Sequence, residues 1–483
     1  MRRRELRDII DMHDTLEEMG KDIVCQGTDR IQGIKVDISR MGNLLFQPSD
    51  LVHLREINLF SCKNLKKIPN LLGALNLETL DCEKCESLVE LPSLARLTSL
   101  KTLRLRGCRS LKKFPEIPNN FDELDLSETG IKEVSDFIER LDRLQRLTLT
   151  NSTVKDVSSN ISKLKSLSFL NLIGCPILKF PTLDVRLPSL RFKSLKYMHM
   201  DRCKSLKLLS ELPPYLLDLN VHDCRSLEKV SFADQNLYQF DYLDADDTCF
   251  TMLFCNCFKL NQESINNIEA NAMLKIGSLA KKWAARYDRQ SNPDGAPRLI
   301  CYFPGNKISA NMFKCQSMNS SLSLKIAPNG DSGSRFLVFA ICLVADPTHC
   351  LALHLGGCIC EYQLTTAGGG NGGGGCENFR SEISLLSFFK RVKYMDYHVF
   401  ILSSIDMVIE DKNYEEASFK FYIRPLGLGR GGEEYIKVER CGVHVFYVDK
   451  KSDSDATEKR VAGNKRSFSH DGEEGDGGLK RLK

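Results

Sequence analysis

The sequence predicts an α/β solenoid of leucine-rich repeats followed by an all-β sandwich, with a short helix at its N-terminal end. Three observations predict this: an apolar pattern that recurs every twenty-odd residues, a later tract of many short β segments, and one early capped amphipathic stretch.

The repeat is clearest in LKTLRLRGCRSLKKFPEIP, residues 100–118, which aligns with seven other stretches such as LVHLREINLFSCKNLKKIP and LLDLNVHDCRSLEKV. The leading apolar residue falls at Leu54, Leu77, Leu100, Phe121, Leu144, Leu167, Leu195 and Leu216, in steps of 23, 23, 21, 23, 23, 28 and 21 by subtraction. Steps of this size match leucine-rich repeats of roughly 20–29 residues. In each coil a short LxxLxL strand turns its leucines inward, and a second apolar pair such as Leu111 and Phe114 brings the chain back. The ninth place holds Cys62, Cys85, Cys108, Cys175, Cys203 and Cys224, with Thr129 and Ser152 in two coils, so it demands a small side chain that can meet loop backbone.

The chain divides into residues 1–50, a short helical segment and linker; 51–234, about eight repeats; 235–298, a connection with a helix; 299–449, the sandwich; and 450–483, a charged disordered tail. Asp14 followed by Glu17 forms a capping pattern, with Leu16, Met19, Ile23 and Val24 on one helical face. In the connection, Ile265, Ile268, Met273, Ile276, Leu279, Trp283 and Tyr287 keep a mostly helical spacing before SNPDGAP breaks it. LICYF, SLSLKI, RFLVFAICLVA, LALHLGGCICEYQL, YHVFIL, ASFKFYIRP and EYIKVERCGVHVFYV supply the strands.

Composition narrows the function. Of 483 residues, 42% are hydrophobic and 27% charged, which fits a soluble chain of two or three domains. No apolar run reaches the roughly 18 residues of a membrane span, and the early Arg2-Arg3-Arg4 leads into a polar segment rather than a secretory core. Nineteen cysteines in such a chain read as reduced thiols of the cytoplasm or nucleus. A net charge of +4 is small for this size and does not imply nucleic acid. The tail clusters Lys465-Arg466 and Lys480-Arg481-Leu482-Lys483 would suit a nuclear address.

Catalytic and metal signals are weak. Cys82-x-x-Cys85 has zinc spacing but no second pair, and both places belong to the repeat register. Cys255-x-Cys257 and Cys358-x-Cys360 are weaker. AGGGNGGGGC at 367–376 lacks the Lys-Ser/Thr of a phosphate loop and reads as a flexible connection. The expectation is a chain that is not an enzyme and carries no cofactor or metal.

MHDTLEEMGKDIV from Met12 resembles the MHD motif and helix closing the nucleotide-binding (NB-ARC) module of plant disease-resistance receptors of the TIR-NBS-LRR class. GTDRIQGIKVDIS from Gly27 is similar to the segment before their repeats, and the NL…C…L…LP text is similar to the repeats themselves. NCFKLN at Asn256, ICYFPGNKIS at Ile300 and VERCGVHVFYV at Val438 resemble their post-repeat C-JID domain, a jelly-roll or immunoglobulin-like sandwich. The resemblance implies a role for His13 in holding ADP in complete members. Here no GxxxxGK[ST] is present, so a helix-capping or packing role is expected for His13. It also implies a truncated receptor without the NAD-cleaving and P-loop ATPase domains. Ser309-Ala310-Asn311-Met312-Phe313 replaces the family's Pro-Glu-Trp, so contacts of that loop do not carry over.

The outward strand positions are the candidate partner-binding residues: Phe60, Arg104, Arg106, Asp125, Phe169, Tyr197, His199, Asp218 and His222. The acidic fourth coil interrupts any basic stripe, which argues against nucleic acid, while Tyr, Phe and Arg suit a protein interface. The expected partner is a pathogen effector or a host target protein, with complete receptors and chaperones as further partners. A leucine-rich-repeat adaptor unrelated to defence is the alternative, and NAD cleavage is the enzymatic reading to be tested against.

Overall fold

Leu100, Leu103 and Leu105 of coil three are buried around the strand Thr102–Arg104, as a period-two strand with one covered face requires. The turn that follows is left-handed. Its residue is Gly107 with φ +80°, and the equivalent places Ser61, Lys84, Glu128, Asn151, Arg202, Asp223 and Asn256 have φ between 55° and 63°, with Gly174 at 72°. A side chain in this region costs roughly 1 kcal/mol, and a hydrogen bond to the next coil offsets that cost. Lys84 N–H donates to the Arg106 carbonyl at 2.8 Å, and Asp223 N–H to that of Cys255 at 2.8 Å. These turns number nine among the described residues. The computed structural model describes residues 9–12, 33–36, 52, 54–68, 70–182, 195–213, 216–233, 249–285, 287, 297–329, 334–349, 355–366, 375–385, 393–425 and 435–450.

The ninth-place thiols meet loop backbone in the preceding coil. Cys85 Sγ donates to the Leu59 carbonyl at 3.0 Å, Cys108 to Cys82, Cys175 to Leu149, Cys203 to Leu172 and Cys224 to Met200, all within 3.1 Å. Thr129 Oγ1 serves its own coil instead, donating to Leu126 at 2.7 Å. Burial pushes the thiols of Cys108 and Cys175 up to about 12, so they are inert donors rather than nucleophiles.

Along the chain the strands are β1 (Ile9–Met12), β2 (Gly33–Val36), β3 (Glu56–Asn58), β4 (Thr79–Asp81), β5 (Thr102–Arg104) and β6 (Glu123–Asp125). Then come β7 (Glu133–Val134), β8 (Arg146–Thr148), β9 (Asp156–Val157), β10 (Phe169–Asn171), β11 (Tyr197–His199), β12 (Leu208–Leu212), β13 (Asp218–Asn220), β14 (Lys229–Phe232) and β15 (Cys249–Leu253). β1 to β5 form one parallel sheet, and β6, β8, β10, β11, β13 and β15 continue the outward face in a second. β7 pairs with β9, and β12 with β14. Between coils three and four the strand ladder is interrupted, and Gly107 N–H to the Ser127 carbonyl at 2.9 Å carries the contact.

The repeats run one coil beyond residue 234. In β15, Met252 lies beside Leu219, Phe250, Met252 and Phe254 are buried, and Cys257 Sγ donates to Val221 O at 3.2 Å. NCFKLN is therefore the turn of a ninth coil. β1 ends at Met12, just ahead of the expected helix, and 33–36 within the first segment pair with β3 of coil one. The helix expected over 14–26, His13, the tail, its basic clusters and nearly all of the glycine run lie outside the described residues.

A helix, α1 (Gln262–Ala284), closes coil nine. Asn261 caps it, its Oδ1 accepting from Ser264 N–H at 2.9 Å. After it come β16 (Arg298–Pro304), β17 (Cys315–Ser317), β18 (Ser321–Lys325), β19 (Arg335–Ala345), β20 (Leu355–Thr366), β21 (Cys376–Ser384), β22 (His398–Ser404), β23 (Val408–Glu410), β24 (Tyr414–Pro425) and β25 (Val438–Asp449). β16 pairs parallel with β15 and antiparallel with β22, so the sheet of the repeats runs on without a break through β22, β19, β25 and β17. A second sheet, β18-β24-β20-β21, shares an apolar core with it through Phe339, Ile341, Leu343, Tyr362, Phe419 and Phe421. The other face of β19 contributes Val338, Ala340, Cys342 and Val344 to the core that holds α1 and the repeats. With both faces covered, β19 is buried over its whole length and must be an unbroken apolar run.

The apolar period of α1 hid two charges. Lys275 is buried, its Nζ donating to the Leu216 carbonyl at 2.8 Å and lying 5.2 Å from the Phe250 ring centre; burial brings it down to about 7. Glu269, also buried, is pushed up to about 7 for the same reason.

Gly130 marks the tightest packing between coils. A Cβ there would stand 2.3 Å from the Arg109 carbonyl oxygen and 3.1 Å from that of Leu111, both backbone atoms that cannot turn aside. Gly130→Ala is expected to lower stability by about 1–3 kcal/mol, read as a fall in the urea midpoint at unchanged m. An unshifted midpoint would mean that coils three and four are not seated this closely.

Candidate recognition surface

Outward strand positions form rows across the coils, and position within the row decides their role. At the strand ends, Asn58, Asp81, Asp125 and Asn171 each accept the backbone N–H two residues on through Oδ1, at 2.9–3.1 Å. Asp125 is exposed, yet this turn already engages its carboxylate, which limits what it can offer a partner.

Many charged side chains on coils one to five pair with neighbours one coil away. Glu78 accepts from Arg55 at 2.8 Å and Lys101 at 3.1 Å, Arg104 meets Asp81 at 3.1 Å, Arg106 meets Glu128 at 3.2 Å and Arg146 meets Glu123 at 3.4 Å. Each exposed pair contributes little to stability, roughly 0–1 kcal/mol, but together they neutralise this part of the face. Phe60 stands 48% exposed at its start, with the Lys84 ammonium 5.1 Å from its ring centre.

A stack begins at coil five. Arg146 lies 4.2 Å from the Phe169 ring centre, Phe169 is 6.3 Å from Tyr197, and the His199 ring meets Phe169 edge-on at 5.2 Å. Tyr197 remains 39% exposed. His199 and His222 correct the outward reading, for both are buried. His199 Nε2 is 3.0 Å from Asp218 Oδ2. His222 Nδ1 is 2.9 Å from Asn220 Oδ1 and 3.0 Å from the fully buried Asp201 Oδ1. Pairing with acids in the neighbouring coil is what allows these imidazoles to be buried.

The C-terminal unit closes this end of the face. Asn256 N–H donates to His398 Nε2 at 3.0 Å, its Nδ2 donates to Asp223 Oδ1 at 3.0 Å and to the Lys393 carbonyl at 2.8 Å, and its Oδ1 accepts from Met395 N–H at 3.2 Å. His398 is thereby fixed as the Nδ1–H tautomer, donating to the Asp396 carbonyl at 2.7 Å. Burial brings it down to about 4. The sequence marks NCFKLN at Asn256 but not its bonds to Met395 and His398, because nothing local marks residues 142 positions apart as partners.

Cys82 and Cys85 have separate duties: Cys82 fills an inward repeat place and Cys85 donates to Leu59. No helix among the described residues is long and apolar enough to cross a membrane.

No family model matches the chain. Three curated proteins of Arabidopsis thaliana are similar to it. Disease resistance-like protein DSC1 is 25% identical over 54% of this chain and 22% of its own length. Disease resistance protein RPP2B is 32% identical over 31% and 12%, and disease resistance protein RPS4 is 26% identical over 61% and 24%. The chain thus spans less than a quarter of the length of these relatives. Among solved structures, the Leptospira interrogans leucine-rich-repeat protein LIC12759 is 19% identical, with a TM-score of 0.25, over 43% of this chain and 73% of that one. The leucine-rich-repeat domain of the type III effector XopL is 20% identical, with a TM-score of 0.26, over 49% and 68%. The coil geometry and these relatives together make this a leucine-rich-repeat protein whose curated relatives are plant disease resistance proteins.

Proposed function

We propose that the chain is a protein-recognition module of plant defence, whose outward repeat face binds a pathogen protein or a host protein standing in for it. The observation that carries this reading is the Arg146–Phe169–Tyr197 stack, set beside coils whose strand-row charges are largely paired and bounded by the C-terminal unit. Aromatic and arginine side chains held rigid beside a wall are typical interface anchors. The paired charges argue for a protein partner over nucleic acid, which would need a continuous basic stripe. We read the two-sheet unit as a sandwich of the jelly-roll or immunoglobulin-like kind, supported by its two antiparallel sheets and common core. A non-catalytic role, without nucleotide or metal, is part of the same proposal.

The test is proximity labelling in infected plant cells, comparing the intact chain with a Phe169→Ala, Tyr197→Ala double variant. The expected result is a microbial or host protein that binds the purified chain directly and whose capture by the double variant falls at least about tenfold, the loss of roughly 1.4 kcal/mol. Equal capture by both would reject this face as the site. NAD cleavage by the purified chain would reject the non-catalytic reading.

A further inference from the structure

Coils seven to nine differ from the rest of the repeat edge. Arg202, Lys204, Arg225 and Lys393 are exposed there, beside two exposed apolar side chains, Phe258 at 45% and Met395 at 51%. The arrangement is built by the coil register. Lys204, Arg225 and Phe258 occupy the place after the ninth-place cysteine in successive coils, so they follow one another at about the 4.8 Å strand spacing. Asn256 brings residues 393–395 to the same edge through its bonds to Lys393 and Met395. The Phe258 ring is seated edge-on against His398 at 5.9 Å, which fixes it in place rather than letting it fold away.

Charge supplies the independent argument. On coils one to five the strand-row cations Arg55, Lys101, Arg104 and Arg146, with Arg106 beside them, have carboxylate partners at 2.8–3.4 Å, and Lys84 lies over the Phe60 ring. On this rim Arg225 reaches Asp223 only at 3.9 Å, and Arg202, Lys204 and Lys393 have no ion-pair partner among the described residues. A patch that joins exposed Phe and Met to unneutralised cations lacks two things, an apolar group to cover it and negative charge around that group.

We infer that this rim is a docking site for an acidic protein segment that carries one large apolar side chain. The inference rests on the protein-recognition reading and deepens it by naming the chemistry of one partner element. The apolar residue lies on Phe258 and Met395, where desolvation gives most of the affinity. Flanking carboxylates meet Arg202, Lys204, Arg225 and Lys393, which chiefly speed encounter and set specificity. A single-stranded nucleic acid would use the same cations, but it needs aromatic faces for successive bases, and here one ring stands beside a thioether.

The experiment measures fluorescence anisotropy of the full chain with four probes. These are a twelve-residue Asp/Glu/Gly peptide with a central Phe, the same peptide with Gly at the centre, a Lys/Gly peptide with the central Phe, and oligothymidine of twelve nucleotides. The acidic Phe peptide is expected to bind at least about tenfold more tightly than the other three. Phe258→Ala and the pair Lys204→Glu, Arg225→Glu should each weaken it about tenfold, while Lys101→Glu on the paired part of the face changes it less than about threefold. Unchanged emission from Trp283 checks that each variant is folded. Equal binding of the basic peptide overturns the inference. So does oligothymidine binding that matches the peptide's and ignores Phe258→Ala, which would make the rim a polyanion surface. In cells, loss of the partner with Phe169 and Tyr197 substituted but not with Arg225→Glu would sink the rim and leave the recognition reading standing.

Discussion

Raising the pH from 8 to 10.5 is expected to unfold the protein completely. Burial raises the thiols of Cys108, Cys175, Cys255, Cys358 and Cys441 to about 12. It also raises those of Cys82, Cys224, Cys257, Cys342, Cys360 and Cys301, and a thiol contact with Cys62 followed by burial raises Cys85. In the unfolded chain a thiol ionises near 8.5. Above that pH the unfolded state binds fewer protons than the folded one, so stability falls as pH rises. Each thiol costs about 1.4 kcal/mol per pH unit. The five held near 12 together cost about 7 kcal/mol per unit, and two units of pH approach what a domain usually has.

Lys275 opposes this. Its folded value of about 7 lies below the unfolded 10.5, so it adds up to about 4 kcal/mol between pH 7 and 10. The thiols outweigh it by number. Trp283, the single tryptophan and 1% exposed, reports the transition by a red shift of its emission. At pH 8 a thiol reagent should modify the exposed Cys315 and Cys376 rapidly and the ladder cysteines only at the rate of unfolding. A chain still folded at pH 11 would contradict the burial of the ladder.

The leucine period was legible because each coil repeats one strand and one turn, and Leu54 to Leu216 are buried at every expected place. Coil nine was not, since Phe250, Met252 and Phe254 stand where leucine or valine would, and the step from Leu216 to Cys249 is 33 residues by subtraction. A signal existed: Asn256-Cys257 repeats the left-handed turn residue and small side chain of Asn151-Ser152. Exposure on the outward face was only half legible. Strand alternation says which way His199 and His222 leave the backbone. It does not reveal that Asp218 and Asp201 lie beside them, or that residues 393–398 arrive from a distant part of the chain. The same limit hid Lys275, whose acceptor is a carbonyl 59 residues away. Phe169 and Tyr197, by contrast, stay on the outward side of their strands, half-buried and exposed.

Asn256 is the residue on which the union of repeats and C-terminal unit depends most, and Asn256→Ala is expected to cost about 3–5 kcal/mol. The side chain is fully buried, and its loss strands three groups at once: the Lys393 carbonyl, the Met395 N–H and one oxygen of Asp223. These bonds are part-buried, so each group left without its partner costs about 1 kcal/mol, the low end of the range for a lost hydrogen bond. Alanine must also keep the φ of +61°, which adds roughly 1 kcal/mol. His398 gives the same contact a pH dependence. Its folded value near 4 lies below the unfolded 6.5, so the unfolded state binds the extra proton and stability is lost as pH falls from about 6.5 to 4, by about 3 kcal/mol. Glu269 acts in the opposite sense over nearly the same range, because its folded value near 7 exceeds the unfolded 4.5 and the proton stabilises the folded chain. The intact protein should therefore show a nearly flat acid limb down to pH 4.5. His398→Gln should remove the loss and leave stability rising on acidification, and Glu269→Gln should expose a loss of about 3 kcal/mol. Urea midpoints of the three proteins at pH 4.5 and 7 separate these terms, and parallel curves for all three would show that neither group is held away from water.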